Sequence, residues 1–287
     1  MRFAVVGGDR RAVLLCTLLL QDGHKVHSFA LERAQLPAEV PKAACLQACV
    51  YGADCVVLPT PARHGELINT PLSGENLSTE TLAAALWPGQ LLCGGGLGQT
   101  LCRAARDEKL RVAELMERPA YVTGNAALTA EGAVQLLMEH SEKALRDSRC
   151  LVLGFGRIGK LLSLSLSALG AKTAAAARAP ADRALARALG LTGLDFAQAE
   201  CLAGEFDCIV NTVPARVFSE AALCCVSPQA LLLELASPPG GFDRSLAENI
   251  GLQVLTAPGL PGRYAPCSAA LLLREALYSV IEEGSEA

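Results

Sequence analysis

Apolar residues run along this chain in short blocks, each followed by turn residues and then by a longer stretch of helical character. Phe3 to Val6 is the first block, and Gly7-Gly8-Asp9 closes it. A helix is expected from about Arg11 to Asp22, stopped by Gly23. Further strands are predicted near Lys25 to Phe29, at Cys55 to Leu58 before Pro59, and at Leu91 to Cys93 before Gly94-Gly95-Gly96. A helix from about Gln99 to Glu108 and a short strand at Arg111 to Ala113 follow. Strands that alternate with helices predict a parallel, doubly wound sheet.

The same rhythm returns in the second half. A helix is expected from about Thr129 to Leu145, with Thr129 as its cap and Glu131 favouring its first turn. Ala133, Leu136, Leu137 and Ala144 share one face of it. Strands are predicted at 150–153, 172–177, 208–211 and 231–235, with a last one near Gln253 to Leu255. Residues 257–266 are too rich in proline and glycine to read as helix. An amphipathic helix from about Ser268 to Glu283 ends the chain, its stripe made by Leu273, Ala276, Leu277, Val280 and Ile281. The expectation is α/β: two doubly wound, Rossmann-like domains joined by crossing helices. Residues 1–124, joined by the C-terminal helix 265–287, form a substrate or partner domain, and residues 125–264 form the dinucleotide domain.

That division rests on Cys150 to Gly159, C-L-V-L-G-F-G-R-I-G. Here a strand runs into G-x-G-x-x-G and an apolar helix that Gly170 stops. Gly154 permits the tight turn, Gly156 lets backbone approach a pyrophosphate, and Gly159 lets helix and strand pack closely. The helix start offers free N–H groups to the phosphates. Gly154, Gly156, Arg157, Ile158 and Gly159 are therefore candidate cofactor contacts. The next strand ends at Arg178, where an NAD-preferring site has an acid, and no acid occurs between Gly159 and Asp182. A guanidinium suits a 2′-phosphate, so NADP is preferred and NAD is the alternative. The first turn of the chain, Gly7-Gly8-Asp9, lacks the full fingerprint.

Composition narrows the setting. The 287 residues are 51% hydrophobic, which is enough for a substantial core. A net charge of −4 argues against a nucleic-acid partner. The longest strongly apolar stretch, Ala12 to Leu20, is too short to cross a bilayer. The 12 cysteines contain no C-x-x-C, so no zinc site is expected. Most of them lie in apolar runs and read as small buried hydrophobes, including Cys267, in a reducing cytoplasm.

Several motifs together resemble the A-subunit family of dipicolinate synthase from endospore-forming bacteria. They are Val6-Gly7-Gly8-Asp9 with Arg11, Leu58-Pro59, Thr129-Ala130-Glu131-Gly132, the glycine fingerprint with Ala177-Arg178, and Asn211-Thr212-Val213-Pro214. Leu235-Ala236-Ser237, Pro239-Gly240-Gly241 with Asp243, and Ala257-Pro258-Gly259-Leu260-Pro261-Gly262 complete the set. The resemblance implies an enzyme of the mother-cell cytoplasm. It would oxidise a dihydrodipicolinate species, derived from hydroxy-tetrahydrodipicolinate, to dipicolinate with NADP during sporulation. Its partner would be the flavoprotein-like B-subunit of dipicolinate synthase. Two positions depart from the pattern: Pro238 stands where Lys or Arg is common, and Cys267-Ser268 where Lys-Thr is common.

Such a substrate asks for cationic or N–H partners for two ring carboxylates. Arg11, Arg118 and Arg263 are candidate cations, and the glycines of Ser237 to Gly241 and of Pro258-Gly259 would let N–H groups approach. Asn211, Thr212 and Pro214 follow a strand whose end faces the ribose and nicotinamide. Glu131 and His140 are the candidate acid–base groups, each with a structural role as its alternative. A D-2-hydroxyacid dehydrogenase would share this layout, but it needs a histidine late in the cofactor domain and none follows His140. A non-catalytic NADP-binding subunit is the other alternative, and a homo-oligomer is left open.

Overall fold

Both halves of the chain wind strand, helix, strand about a parallel sheet. The computed structural model describes residues 1–107 and 109–284. The chain divides into one unit of Met1–Asn125 with Ala265–Ala287 and a second of Ala126–Tyr264.

The first unit contains β1 (Arg2–Val6), α1 (Arg10–Gln21), β2 (Lys25–Phe29), α2 (Leu46–Val50) and β3 (Cys55–Val57). A small antiparallel pair follows, β4 (Arg63–His64) with β5 (Leu67–Ile68). Then come α3 (Thr79–Ala85), β6 (Leu91–Gly94), α4 (Gly98–Asp107) and β7 (Arg111–Glu114). Glu108, the expected last residue of α4, lies outside the described residues. The sheet order is β2-β1-β3-β6-β7 and every pairing is parallel. The pattern is strict because Phe3 and Val5 pack on one face and Ala4 and Val6 on the other, all buried. Gly8 (φ +103°) closes the first turn, where an added Cβ would meet that of Ala12 at 2.7 Å.

α5 (Pro119–His140) carries the chain from the first unit into the second. It starts ten residues before the expected Thr129, so Thr129 and Glu131 sit mid-helix and neither serves a first turn. Pro119 is well suited to a first helical position because its missing N–H would have no partner there. Gly124 and Gly132 lie within this helix, and each marks a close approach. A Cβ on Gly124 would meet the Leu272 side chain at 2.6 Å, and one on Gly132 would meet Leu260 Cβ at 3.0 Å. Packing against those leucines offsets the roughly 1 kcal/mol that glycine costs a helix.

The second unit contains β8 (Arg149–Leu153), α6 (Arg157–Ala168), β9 (Lys172–Ala176), α7 (Pro180–Ala188) and β10 (Thr192–Leu194). It continues with α8 (Phe196–Cys201), β11 (Cys208–Asn211), α9 (Glu220–Cys225), β12 (Leu231–Glu234), α10 (Arg244–Asn249), β13 (Gln253–Thr256) and α11 (Leu260–Tyr264). The order β10-β9-β8-β11-β12-β13, all parallel, is that of a dinucleotide-binding sheet. α11 corrects the expectation of a non-helical 257–266. Gly259 (φ +68°) turns the chain, Pro261 is tolerated in a first turn, and Leu260 is buried. α12 (Pro266–Glu283) returns to the first unit, where Leu273, Leu277 and Val280 join the core beside α1.

Candidate dinucleotide site at the carboxyl edge of the second sheet

The order of the second sheet reverses between β8 and β11, and the loops after these strands open at its carboxyl edge, where ligands collect in open α/β sheets. Each fingerprint glycine has a distinct environment. Gly154 (φ +101°) is pressed against Thr212 and Val213, and an added Cβ would lie 2.5 Å from Thr212 Oγ1. Gly159 is tighter still, since a Cβ would lie 2.1 Å from the Gly154 carbonyl oxygen. Gly156 is exposed, with ordinary backbone angles and nothing within 4 Å of an added Cβ. It is also the N-cap of α6, and no side chain caps that helix. An open glycine before an uncapped helix is the cradle a pyrophosphate requires. Arg157 is exposed and Ile158 half-buried on its first turn.

Thr212 holds this turn to the sheet, because its amide and its hydroxyl both donate to the Leu153 carbonyl, at 2.9 and 2.8 Å. Pro214 is exposed on the same loop. Arg178 follows β9 and is exposed, and its guanidinium has no ion-pair partner among the described residues. Its carbonyl accepts from Arg183 Nη1 at 2.6 Å, so the neighbouring arginine is committed to the strand end. Lys160, which the sequence reading passed over, lies on the first turn of α6. It stands 5.4 Å from the Phe155 ring centroid and 3.6 Å from Asp182.

Asn211 is fully buried at the end of β11 and has little left to offer a ligand. Its Nδ2 donates to the Val213 carbonyl at 2.8 Å and to Glu234 Oε1 at 2.7 Å, while its Oδ1 accepts from the Val213 amide at 3.1 Å. The expectation that it touches the dinucleotide gives way to a role inside the loop. Gly241 changes likewise, since its amide donates to Glu234 Oε2 at 2.8 Å and is not free for a ring carboxylate. Gly240 is buried above the same carboxylate. Glu234 is the residue the sequence reading missed. The signal was an acid closing the leucine run of a buried strand. Ser237, Pro238, Pro258, Gly259 and Arg263 remain exposed at this edge.

His140 does not belong to this edge. It is exposed at the opposite end of the strands, beside Lys143, Asp207, Leu231 and Gln253. Glu131 is also exposed, but nine residues earlier on α5, about 13 Å along the helix axis. Gly132 beside it packs close to Leu260, the first residue of α11 beyond β13, so Glu131 lies toward the carboxyl edge. The two cannot serve one reacting atom, and His140 stands away from the dinucleotide edge.

In the first unit the corresponding turn is filled by the protein itself. The amides of Gly7 and Gly8 donate to the carbonyls of Phe29 and Asn69, each at 2.9 Å. Arg11 is buried, pairs with Asp9 at 2.9 Å and donates to the Thr60 carbonyl at 2.6 Å. Arg11 therefore has its anion already. Burial alone would raise the Asp9 carboxyl, but the Arg11 guanidinium outweighs it and holds the group below its ordinary value. Arg118 is engaged by Glu283 and Ser279.

Residues 2–116 match the family model of the N-terminal domain of the dipicolinate synthase A-subunit. Across 99% of this chain and 96% of its own length, the dipicolinate synthase A-subunit of Bacillus subtilis (strain 168) is 28% identical. The chain is thus similar to the dipicolinate synthase A-subunit over almost its whole length. The crystal structure of the dipicolinate synthase A-subunit from Bacillus halodurans, 26% identical, superposes with a TM-score of 0.86 and 97% coverage of both chains. A transhydrogenase from Sinorhizobium meliloti shares the fold at a TM-score of 0.72 and 17% identity, covering 99% of this chain and 94% of its own. Both departures from the family pattern, Pro238 and Cys267, are exposed. Cys267 sits on the first turn of α12, so the expectation that it packs as a buried hydrophobe is corrected.

Proposed function

We propose that the second unit binds a nicotinamide dinucleotide, NADP in preference to NAD, at the carboxyl edge of its sheet. There the chain would oxidise a dihydrodipicolinate species, derived from hydroxy-tetrahydrodipicolinate, to dipicolinate during sporulation, together with the B-subunit of the synthase in the mother-cell cytoplasm. The observation that carries this reading is the contrast among three glycines. Gly154 and Gly159 are packed shut, and Gly156 alone opens on space at the uncapped start of α6. Amides at that helix start would receive the pyrophosphate, and the Arg178 guanidinium would receive a 2′-phosphate.

The bound dinucleotide supplies a hydride acceptor. The residues present supply position and a proton path. Ser237, Pro258, Gly259 and Arg263 border the same edge, and Arg263 offers a charge-assisted contact to a ring carboxylate. Glu131 is the remaining candidate base. Oxidising a dihydropyridine restores aromaticity, so placing the ring is the larger share of the task. A D-2-hydroxyacid dehydrogenase reading loses further ground, because the last histidine of the chain, His140, stands at the wrong end of the strands.

The test is titration of NADPH and NADH into the purified chain and into Arg178→Ala. One charge-assisted contact is worth about 1.5–3 kcal/mol, so the variant is expected to lose roughly ten- to hundredfold in NADPH affinity and none for NADH. Equal affinities in the parent protein would remove the NADP assignment. Turnover of hydroxy-tetrahydrodipicolinate with and without the B-subunit separates an enzyme from a non-catalytic subunit.

A further inference from the structure

We propose that Glu234 is a positioning residue for this site: its carboxylate latches the loops after β11 and β12 into one rigid edge. The proposal rests on the dinucleotide reading above. Glu234 is 8% exposed and lies in register with Asn211 on the neighbouring strand. Oε1 accepts from Asn211 Nδ2 at 2.7 Å and from the Ala236 amide at 2.9 Å, and Oε2 accepts from the Gly241 amide at 2.8 Å. Asn211 carries the connection onward to both backbone groups of Val213. One network therefore fixes residues 211–213 and 234–241. Both glycines of the second loop are needed for the closure. A Cβ on Gly240 would lie 2.7 Å from Glu234 Oε2, and one on Gly241 would lie 2.2 Å from Asn211 Cγ.

Donor counting explains why an acid stands here. Three N–H donors converge on the side chain, and among the described residues no cation pairs with it. An ionised carboxylate has only acceptor sites and meets all three. A glutamine would turn an NH₂ toward at least one N–H. A buried carboxylate is costly in a fold unless its hydrogen bonds are complete, and here the loop amides complete them. The two loops follow adjacent strands on the nicotinamide side of the switch point, where the reacting ring must lie against the cofactor. The phosphates are held elsewhere, by the glycine turn. Loss of the latch should therefore weaken ring binding and spare dinucleotide affinity.

The experiment compares the full chain with Glu234→Gln and with the conservative variant Glu234→Asp. Aspartate keeps a carboxylate with acceptor sites only and shortens its reach by one methylene, whereas glutamine of the same length presents an NH₂ to the loop amides. NADPH affinity is read by its fluorescence, dipicolinate affinity by calorimetry on the NADPH-bound protein, and loop order by hydrogen exchange of peptides spanning 234–243. Glu234→Gln is expected to keep NADPH affinity within about threefold, to lose dipicolinate affinity by about tenfold or more, and to speed loop exchange by a similar factor. Glu234→Asp should show smaller losses of both than Glu234→Gln. Unchanged dipicolinate binding and loop exchange in Glu234→Gln would overturn the latch, as would equal losses of NADPH and dipicolinate affinity. If the parent protein binds neither NADPH nor NADH, the dinucleotide reading fails by itself. Loop exchange then still decides whether the carboxylate holds the loops.

Discussion

At the scale of single residues, the second sheet's edge separates glycines that hold the fold from a glycine that leaves room for a ligand. Gly156→Val puts a side chain into open space in front of α6. The expected outcome is loss of NADPH binding in a protein with parental thermal stability. Gly159→Ala drives a methyl into the Gly154 carbonyl and is expected to cost about 1–3 kcal/mol or more through overpacking. Thermal melts and NADPH titration of the two variants check the pair, and normal NADPH affinity in a folded Gly156→Val protein would move the phosphates elsewhere. The glycine spacing was legible in sequence because its meaning is local: strand, turn, helix. The roles of Asn211, Gly241 and Glu234 were not, because their hydrogen bonds join residues 23 and 7 positions apart. His140 misled for the same reason. Helical spacing placed it near an apolar stripe but could not say which end of the sheet it reaches.

At the scale of elements, sequence reading found the strands of both sheets through their apolar blocks, apart from the three-residue edge strand β10, and misjudged α5. A glycine in a helix has two readings, breaker or contact, and only the partner decides between them; for Gly124 the partner is Leu272, nearly 150 residues away. The short β4–β5 pair and α11 were illegible because turn chemistry, not periodicity, makes them. The start of α1 carries a testable electrostatic consequence. Asp9 caps the helix through the Arg11 amide at 2.9 Å and pairs with the buried Arg11 guanidinium. Its carboxyl is held below the ordinary value, so the folded state binds the proton less tightly than the unfolded chain does. The stabilisation is thus complete above the ordinary carboxylate range, about pH 4, and fades as pH falls through the lowered value. Asp9→Asn is expected to cost about 1–3 kcal/mol at pH 7, allowing for the partial exposure of the pair. The gap should shrink in urea unfolding below about pH 4, whereas a gap independent of pH would assign the loss to packing.

At the scale of the whole molecule, the chain path makes the two units unequal. The second is one continuous stretch, whereas the first is closed only when α12 returns to it. Leu277 on α12 is fully buried among Leu15, Leu19 and Leu273, so stability of the first unit depends on residues some 250 positions apart. Leu277→Ala is expected to destabilise that unit by about 2–5 kcal/mol, from lost burial and the cavity left behind. A dinucleotide held by the second unit acts on different ground. At a hundredfold excess over its Kd it should stabilise the unit that binds it by about 2.7 kcal/mol. Hydrogen exchange in rising urea, read peptide by peptide, distinguishes the two effects. The substitution should loosen peptides of 1–125 and 265–284, and NADPH should tighten peptides of 126–264 equally in parent and variant. Protection by NADPH that appears instead in the first unit would place the dinucleotide beside Gly7 and Gly8, where the amides now donate to Phe29 and Asn69 and would first have to be released.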